Sequence, residues 1–215
     1  MCIRDSATAM RGVRPLAPDQ GRIVGEAYTV RFIPMREDLS DPAILGSPNN
    51  HQRVAIEDCP AGAILCMDGL GNAEVGTLGD ILAERLRVRG VAACVTDSAT
   101  RDAEAVVATG FPVWCNGRAA PPNITGLAMG DRQVPIGCGG VAVIPGDVLV
   151  CDGDGVVVIP QGLMEEVAAG AVEQETLETF VQERIRAGYT VTESYPPNAE
   201  TLAAYEAWKA DRGAV

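Results

Sequence analysis

Three charged side chains, Asp80, Arg101 and Asp102, have the types and the spacing that metal-assisted chemistry on a small anion requires. A compact fold could bring them together across the interval formed by residues 81–100. Two carboxylates offer the oxygen ligands that Mg²⁺ or Mn²⁺ prefers. A guanidinium offers a planar set of donors that fits a substrate carboxylate. The three side chains therefore predict a divalent-metal site that acts on a small acid.

The predicted elements place these side chains at element ends. Asp80 begins an amphipathic helix, since apolar residues recur on one face at positions 78, 81, 82 and 86. The glycine-bracketed segment Gly76–Gly79 precedes it as a predicted turn, and such a helix start exposes N–H groups that favour anions. Arg101 and Asp102 follow the apolar run Val91–Val95, a predicted buried strand. Ligand sites of open α/β sheets lie past the carboxyl ends of strands, which is where this pair is expected.

Alternating strand and helix patterns predict an α/β fold with a partly parallel sheet. The patterns are strands over 22–33 and 63–67 and from Val91 and Phe111, and helices over 50–59 and from Leu78 and Asp102. Short Val- and Ile-rich runs with tight turns over 134–160 predict a compact β layer. A long helix is predicted over 161–187. A short helix near the end carries Leu202, Tyr205 and Trp208 on one side and is expected to dock on another subunit.

The composition is that of an acidic protein with enough apolar residues for a sizeable core. The 215 residues are 47% hydrophobic and carry a formal net charge of −12. Nucleic-acid backbones bind clustered Lys and Arg, so no nucleic-acid partner is expected, while a cationic site around Arg101 remains compatible with a small acidic substrate. No apolar stretch approaches the roughly 20 residues that span a bilayer, so no membrane partner is expected. The seven cysteines lack CxxC spacing and are expected to be reduced, buried thiols of a cytoplasmic protein.

The motif region resembles the RraA-like family, which includes 4-hydroxy-4-methyl-2-oxoglutarate aldolases and the protein regulator of ribonuclease E activity. The segments that carry the resemblance are Gly76–Asp80, Thr96–Asp102 and Gly110–Trp114. The aldolases of the family carry an Asp separated from an Arg-Asp pair by the interval that residues 81–100 supply here. A second match over Pro135–Pro160 looks like the family's C-terminal β-rich signature. The resemblance spans residues 21–188.

The resemblance implies a particular fold and assembly. The fold expected is α/β, a β/β/α sandwich of the swivelling-domain type, with residues 1–215 as a single domain. The assembly expected is a homotrimer, or a hexamer of two trimers, with sites between subunits. Met1–Ser6 show no pattern that links them to the rest, so residues 1–20 are expected to be a truncated or non-native N-terminus without the family's N-terminal helix. Residues 189–215 are expected to be a C-terminal extension.

The resemblance also implies a metal-dependent lyase. A class II aldolase or decarboxylase of this kind cleaves a C–C bond of a small 2-oxo acid through a metal-stabilised pyruvate enolate, with 4-hydroxy-4-methyl-2-oxoglutarate or oxaloacetate as substrate. Mg²⁺ or Mn²⁺ is expected to be bound directly by Asp102 and through water by Asp80. Arg101 is expected to neutralise the substrate and steady the oxygen at the bond being cleaved.

Further residues are assigned to the same site by the resemblance. The residues whose N–H groups are expected to receive the substrate carboxylate are Gly76, Thr77, Leu78 and Gly79. Glu175, contributed by a neighbouring subunit, is expected to help to hold metal-bound water. The sequence departs from the family at Asp97-Ser98, where the family has Asp-Gly, so a turn that glycine makes easily is expected to differ.

Other interpretations of the same residues stay open. Asp80 could be a first-turn residue favoured by the helix dipole, and Arg101 with Asp102 could form a surface ion pair or a helix start. His51, the only histidine, fits an exposed or helix-start position within a polar run. At the level of function, the alternatives are a non-enzymatic regulator that binds a ribonuclease, a sugar-acid dehydratase on the same scaffold, and a structural oligomer.

Overall fold

The computed structural model describes residues 8–39, 43, 47 and 50–212, and the chain divides into two compact units, 1–161 and 162–215. The strands of the first unit are β1 Arg14–Pro15, β2 Ile23–Pro34, β3 Ile64–Asp68, β4 Gly76–Leu78, β5 Ala93–Thr96, β6 Ala99–Thr100, β7 Val113–Cys115, β8 Leu127–Arg132, β9 Ile136–Cys138, β10 Val141–Val143, β11 Val148–Cys151 and β12 Val156–Ile159. Its α-helices are α1 His51–Asp58, α2 Asp80–Val88 and α3 Ala103–Ala108. The single domain expected over residues 1–215 stays a prediction, and Met1–Ser6 lie outside the described residues.

A mixed sheet forms the centre of the first unit, which confirms the predicted α/β fold. Its strand order is β1-β7-β5-β3-β2-β11-β12, and β8 pairs with the far end of β2. The four strands β2, β3, β5 and β7 run parallel to one another, whereas β1, β8, β11 and β12 pair antiparallel. The helices α1, α2 and α3 lie in the connections between the parallel strands, as a βαβ alternation requires.

The strand β3 shows why this sheet holds a core on each face. All of its residues are buried, because a central strand of a parallel sheet is covered on both sides. Leu65 and Met67 belong to one buried apolar cluster together with Leu86 of α2. Ile64 and Cys66 point the other way, into a second cluster that includes residues of β9 to β12. Of the β layer predicted over 134–160, β9 and β10 form a separate two-stranded sheet on one face, whereas β11 and β12 extend the central sheet. The helices cover the other face.

The N-terminal segment is attached to this unit by backbone pairing. The N–H of Met10 donates to the carbonyl of Val156 at 2.9 Å, and that of Arg11 donates to Gly139 at 2.9 Å. Val13 is fully buried, and β1 pairs with β7. Within residues 8–39, the 3-10 turn Glu37–Leu39 is the helical segment.

The second unit is helical. It contains α4 Met164–Arg186, α5 Val191–Ser194 and α6 Ala199–Asp211. Tyr205 and Trp208, expected to dock on another subunit, instead pack on Phe180 of α4, with ring centroids 5.6 Å apart in each case. Leu202 stays exposed. The aromatic side of α6 thus packs on α4 within its own unit, and docking of α6 on another subunit stays a prediction.

Two composition-based predictions can be compared with the structure. The six cysteines within the described residues are all free and buried, which confirms the prediction for them. Burial raises the pKa of the Cys59 thiol to about 12. In the described part of the chain, no helix combines the length and the apolar character that crossing a membrane requires.

Candidate functional site

One cleft of the first unit collects most of the predicted site residues. Its volume is about 280 Å³, which suits a small ligand. The residues that line it are Gln52, Arg53, Gly76, Thr77, Gly79, Asp80, Ile81, Leu82, Arg101, Pro122 and Asn123. The fold therefore brings Asp80 and Arg101 together, as their spacing suggested. Leu78 does not line the cleft, because its side chain is fully buried in the core.

A short parallel pairing between β4 and β6 joins the two halves of the motif. Gly76 lies opposite Ala99, and the N–H of Arg101 donates to the carbonyl of Leu78 at 2.9 Å. The segment expected as a turn is thus a strand, and Arg101 and Asp102 follow β6 rather than β5. The turn interpretation was wrong because glycines at both ends of the segment allow close strand pairing as readily as a reversal.

The two glycines are needed because Arg101 passes close to their backbone. A Cβ at Gly76 would lie 2.7 Å from both the Cβ and the backbone N of Arg101. A Cβ at Gly79 would lie 3.3 Å from Arg101 Nε and 3.3 Å from Asp102 Oδ2. A side chain at position 76 would therefore clash with Arg101 and disturb the β4–β6 pairing.

The start of α2 has backbone N–H groups that no side chain among the described residues caps. Gly79 is the N-cap residue, Asp80 begins the helix, and no side chain caps it. The first N–H groups of a helix lack intrahelical partners and carry its positive dipole end. The N–H of Gly76 donates instead to the carbonyl of Pro121 at 2.9 Å. Gly76 was therefore a wrong choice as a donor to the substrate, since the protein already uses this N–H.

Asp102 has a left-handed backbone conformation, and its carboxylate does not cap the helix that follows. Its φ of 52° and ψ of 37° lie in the left-handed region, which costs an L-residue roughly 1 kcal/mol. Although it occupies the N-cap position of α3, its carboxylate makes no capping hydrogen bond. Its Oδ2 accepts a hydrogen bond from Arg101 Nε at 2.8 Å, and both side chains are nearly half exposed. The surface ion pair considered from the sequence is therefore present, whereas a capping role for this carboxylate is not.

Buried polar side chains at the cleft form a hydrogen-bonded network that was not predicted from the sequence. The amide Nε2 of Gln52 donates to the carbonyl of Thr77. Asn123 Nδ2 donates to Gln52 Oε1 at 3.1 Å, and both side chains are buried. The hydroxyls of Thr77 and Thr96 lie 3.2 Å apart. Gln52 stands in a polar run of the sequence, and no local pattern distinguishes it from its exposed neighbours.

His51 is the first residue of α1, which fits the helix-start interpretation. It does not line the cleft. Its Nδ1 is buried and has no hydrogen-bond partner within the described part of the chain. A role for His51 as the base of the site therefore has no geometric support here.

Asp80 lines the cleft, and Asp102, which is not one of the lining residues, lies beside it at Gly79; these are the carboxylates that a hydrated divalent cation could use. Among the described residues, no group of three or more His, Cys, Asp and Glu side chains is placed to hold a metal ion. Mg²⁺ usually keeps several waters and uses only one or two carboxylates of the protein. Asp102 and Asp80 are two such carboxylates. Oδ2 of Asp102 lies beside the backbone of Gly79, and Asp80 begins α2 directly after that glycine. Water, substrate or another subunit would have to supply the remaining ligands.

Glu175 lies in the second unit. It is exposed on α4, and its carbonyl accepts a hydrogen bond from the hydroxyl of Thr179 at 2.9 Å. The neighbouring Glu173 is bound to Lys209 and Tyr205, each at 3.0 Å. The role expected for Glu175 in a subunit interface stays a prediction.

Asp97 turns out to be a structural residue. Its Oδ1 accepts the N–H of Gly69 at 2.7 Å, and its Oδ2 accepts those of Gly71 at 3.1 Å and Gly139 at 3.2 Å. Burial raises the pKa of this carboxyl, and the bonds from Gly69, Gly139 and Gly71 oppose the rise. Ser98 donates to the carbonyl of Gly69 at 3.2 Å and does not have a positive φ. The turn at Asp97-Ser98 therefore does not require the glycine found in the family.

Comparison with known proteins identifies the family of the chain. A sequence model of the RraA-like family (Aldolase/RraA) matches residues 2–158. A protein of Halalkalibacterium halodurans, provisionally named as a 4-hydroxy-4-methyl-2-oxoglutarate aldolase, is 31% identical over 179 residues. That match covers 81% of this chain and 78% of the relative.

Solved structures show the same fold. Streptomyces coelicolor RraAS2, described as an unusual member of the RNase ES inhibitor RraA protein family, is similar with a TM-score of 0.73 and 30% identity. The match covers 82% of this chain and 83% of that one. An uncharacterized protein from Pseudomonas syringae is similar with a TM-score of 0.73 and 27% identity, over 87% and 84% of the two chains. The chain therefore belongs to the RraA-like family and has its fold.

Proposed function

We propose that the protein is a divalent-metal-dependent lyase that cleaves a C–C bond of a small 2-oxo acid. The substrates proposed are 4-hydroxy-4-methyl-2-oxoglutarate, as an aldolase, and oxaloacetate, as a decarboxylase. The observation that carries the proposal is the convergence of Arg101, Asp80 and the uncapped start of α2 in one small cleft. The aldolase name of the Halalkalibacterium halodurans relative supports the same activity.

The residues of the cleft have separable roles in this proposal. The N–H groups at the start of α2 receive the carboxylate next to the 2-oxo group, since they are directed donors at a positive dipole end. The guanidinium of Arg101 stabilises the negative charge that develops on the oxygen attached to the leaving carbon. The carboxylate of Asp80 holds a water that takes the proton of the substrate hydroxyl. Mg²⁺ or Mn²⁺, held by Asp102 and through water by Asp80, would supply the positive charge that polarises the 2-oxo group.

The rival mechanism through a lysine Schiff base has little support. The chain has one lysine, Lys209, and it belongs to the second unit. Its ammonium contacts Glu173 and Glu206, each at 3.0 Å. Hydrogen bonds to these carboxylates raise the pKa of Lys209, which keeps the amine protonated and non-nucleophilic.

The proposal includes an assembly. A homotrimer, or a hexamer of two trimers, would place Glu175 of one subunit near the cleft of another and complete the ligands that a single chain lacks. Light scattering on the purified protein measures this assembly directly. A monomer with full activity would show that Glu175 is not required.

The experiment that tests the function is a pyruvate-release assay over a panel of 2-oxo acids. We expect release from 4-hydroxy-4-methyl-2-oxoglutarate or oxaloacetate, loss of release with EDTA, and recovery with Mg²⁺ or Mn²⁺. Borohydride should trap no adduct. Full activity after exhaustive chelation would rule out the metal-dependent mechanism.

A second candidate function is regulation of a ribonuclease by binding. It is favoured by the similarity to Streptomyces coelicolor RraAS2, which is described as an unusual member of the RNase ES inhibitor RraA protein family. No pyruvate release from any 2-oxo acid, combined with inhibition of a ribonuclease E-type enzyme in an RNA-cleavage assay, would favour this function over the lyase.

A further inference from the structure

A second guanidinium faces the cleft and has no assigned role. Arg53 lines the same cleft as Arg101 and Asp80. It is exposed, and within the described residues its guanidinium makes no ion pair or hydrogen bond. Arg85, which lines the neighbouring groove with Arg53, is instead bound to Glu57 through Nε at 2.9 Å and Nη2 at 2.6 Å. Arg53 is thus available to a ligand, whereas Arg85 is occupied.

The position of Arg53 on its helix is unfavourable in the free protein. Arg53 lies in the first turn of α1, where its backbone N–H donates to the N-cap side chain of Asn50 at 3.1 Å. A cation there opposes the positive end of the helix dipole, and the first turn of α1 contains no acidic residue. The helix alone therefore does not explain an arginine at this position, while an anion in the cleft would.

The charges around the cleft fit a ligand with two negative groups. Two guanidiniums, Arg53 and Arg101, line it together with one carboxylate, Asp80. The uncapped start of α2 adds further positive potential. One carboxylate of the ligand can be received by the N–H groups of α2 near Arg101. A second carboxylate needs another cationic partner, and Arg53 is the lining residue that offers one.

Resting on the proposed function, we propose that Arg53 is a specificity-determining residue that binds the distal carboxylate of a 2-oxo diacid. In the cleavage of 4-hydroxy-4-methyl-2-oxoglutarate, the bond between C3 and C4 breaks and its electron pair stays on C3. The hydroxyl on C4 gives up its proton and becomes the carbonyl of one pyruvate. A proton is then added to C3, which becomes the methyl group of the second pyruvate. Arg53 holds the carboxylate of the half that contains C4, so it selects diacids without entering the bond changes.

The kinetic test compares two substrates that differ only at the distal group. The first is 4-hydroxy-4-methyl-2-oxoglutarate, and the second is 4-hydroxy-4-methyl-2-oxopentanoate, in which a methyl replaces that carboxylate. Arg53→Gln should lower kcat/KM for the diacid by about 10- to 100-fold, the range of a charged hydrogen bond, and leave the monoacid within about threefold. The matched control Arg85→Gln removes a nearby charge and should preserve the wild-type preference. An equal loss on both substrates in Arg53→Gln would overturn the proposal.

A binding test separates this proposal from the proposed lyase activity. Calorimetry with Mg²⁺ present would compare 2-oxoglutarate with 2-oxopentanoate, which again differ by one terminal carboxylate. Wild type and Arg85→Gln should bind the diacid more tightly, and Arg53→Gln should bind both alike. If wild type releases no pyruvate but shows this preference, the lyase fails and the role of Arg53 stands. If wild type shows no preference between the two acids, the role of Arg53 fails, whatever the turnover.

Folding of the variant can be verified independently. The side chain of Arg53 is exposed, and its replacement removes a cation from the first turn of α1. The melting temperature of Arg53→Gln should therefore equal or exceed that of the wild type. A lower melting temperature would show that Arg53 stabilises the fold and would overturn its assignment to ligand binding alone.

Discussion

Asp97 and Asp102 are carboxylates of the same short stretch of chain, yet they have opposite surroundings. Asp97 is 4% exposed and accepts three backbone N–H groups. Asp102 has a side chain that is 44% exposed, and among the described residues its carboxylate is bound only by its neighbour Arg101. The first carboxylate holds two glycine-containing turns together, 69–72 and 139–140, and the second is open to a ligand. A carboxylate that binds metal must keep its oxygens available, and the structure shows this at Asp102 and not at Asp97.

Replacement of Asp102 should have the largest effect on activity. Asp102→Asn keeps the shape and the tolerance for a left-handed backbone but removes the charge that a cation needs. We expect turnover to fall by about a thousandfold or more, equivalent to roughly 4 kcal/mol. Stability should change by less than about 1 kcal/mol, because the Arg101 pair is exposed. Pyruvate release and thermal melting measure the two quantities.

A matched control for that variant is Asp131→Asn. Asp131 also pairs with an arginine, Arg31, and its side chain is 50% exposed. Asp102 lies beside Gly79 of the cleft, whereas Asp131 is not a neighbour of that glycine. Turnover should stay near the wild-type value. Near-normal turnover in Asp102→Asn as well would remove Asp102 from the site.

Replacement of Arg101 by lysine should have the next largest effect. A lysine keeps the charge but loses the planar donors that hold a carboxylate or an oxyanion in a fixed geometry. We expect kcat/KM to fall by about 10- to 1000-fold, or roughly 1.4 to 4 kcal/mol, with the fold and metal binding retained. A near-normal rate would show that Arg101 does not touch the substrate and would favour the regulator function.

Replacement of Asp97 should affect stability and not the chemistry. Asp97→Ala leaves the N–H groups of Gly69, Gly71 and Gly139 without their acceptor. Because each unsatisfied buried donor costs about 1–3 kcal/mol, the free energy of unfolding should fall by at least about 2 kcal/mol. Urea unfolding measures the loss. Unchanged stability combined with lost turnover would reverse the assignment of the two carboxylates.

The smallest effect expected is a change with pH in the difference between the unfolding free energies of wild type and Asp97→Ala. Burial raises the pKa of Asp97 in the folded state, so the folded protein holds this proton more tightly than the unfolded chain. The stabilising contribution of the proton is complete below the unfolded pKa of about 3.9 and is lost as the pH rises through the folded pKa. The difference between wild type and Asp97→Ala should therefore shrink as the pH rises from about 4. A difference that grows over this range would contradict the raised pKa.

The sequence predicted the main elements because their patterns are local. The alternation over 22–33 became β2, the buried run at 63–67 became β3, and the helical pattern at 50–59 became α1. The pairing of β4 with β6 was not predictable from local pattern, since strands of three and two residues carry no periodic signal. The close approach of Arg101 to Gly76 depends on that pairing and was hidden for the same reason.

The candidate site was predicted only where a residue belonged to a motif. Asp80, Arg101 and Asp102 could be found from their spacing. Gln52 and Arg53 could not, because the cleft is formed by elements that are distant in sequence and their polar run looks like any solvated helix face. The donor role of Gly76 was predicted wrongly, since the partner of its N–H, Pro121, belongs to a loop that the motif does not include.

The small size of the β4–β6 pairing has a consequence for how the protein loses activity on heating. The ladder is short, and the N–H of Arg101 contributes one of the bonds that fasten it to Leu78. Such ladders open at a lower free-energy cost than the central sheet, and their amide hydrogens exchange with solvent accordingly. Opening would carry the guanidinium away from the start of α2 while β2, β3 and β5 remain paired. We therefore expect heat to inactivate the protein at temperatures below its melting transition, with reversal on cooling.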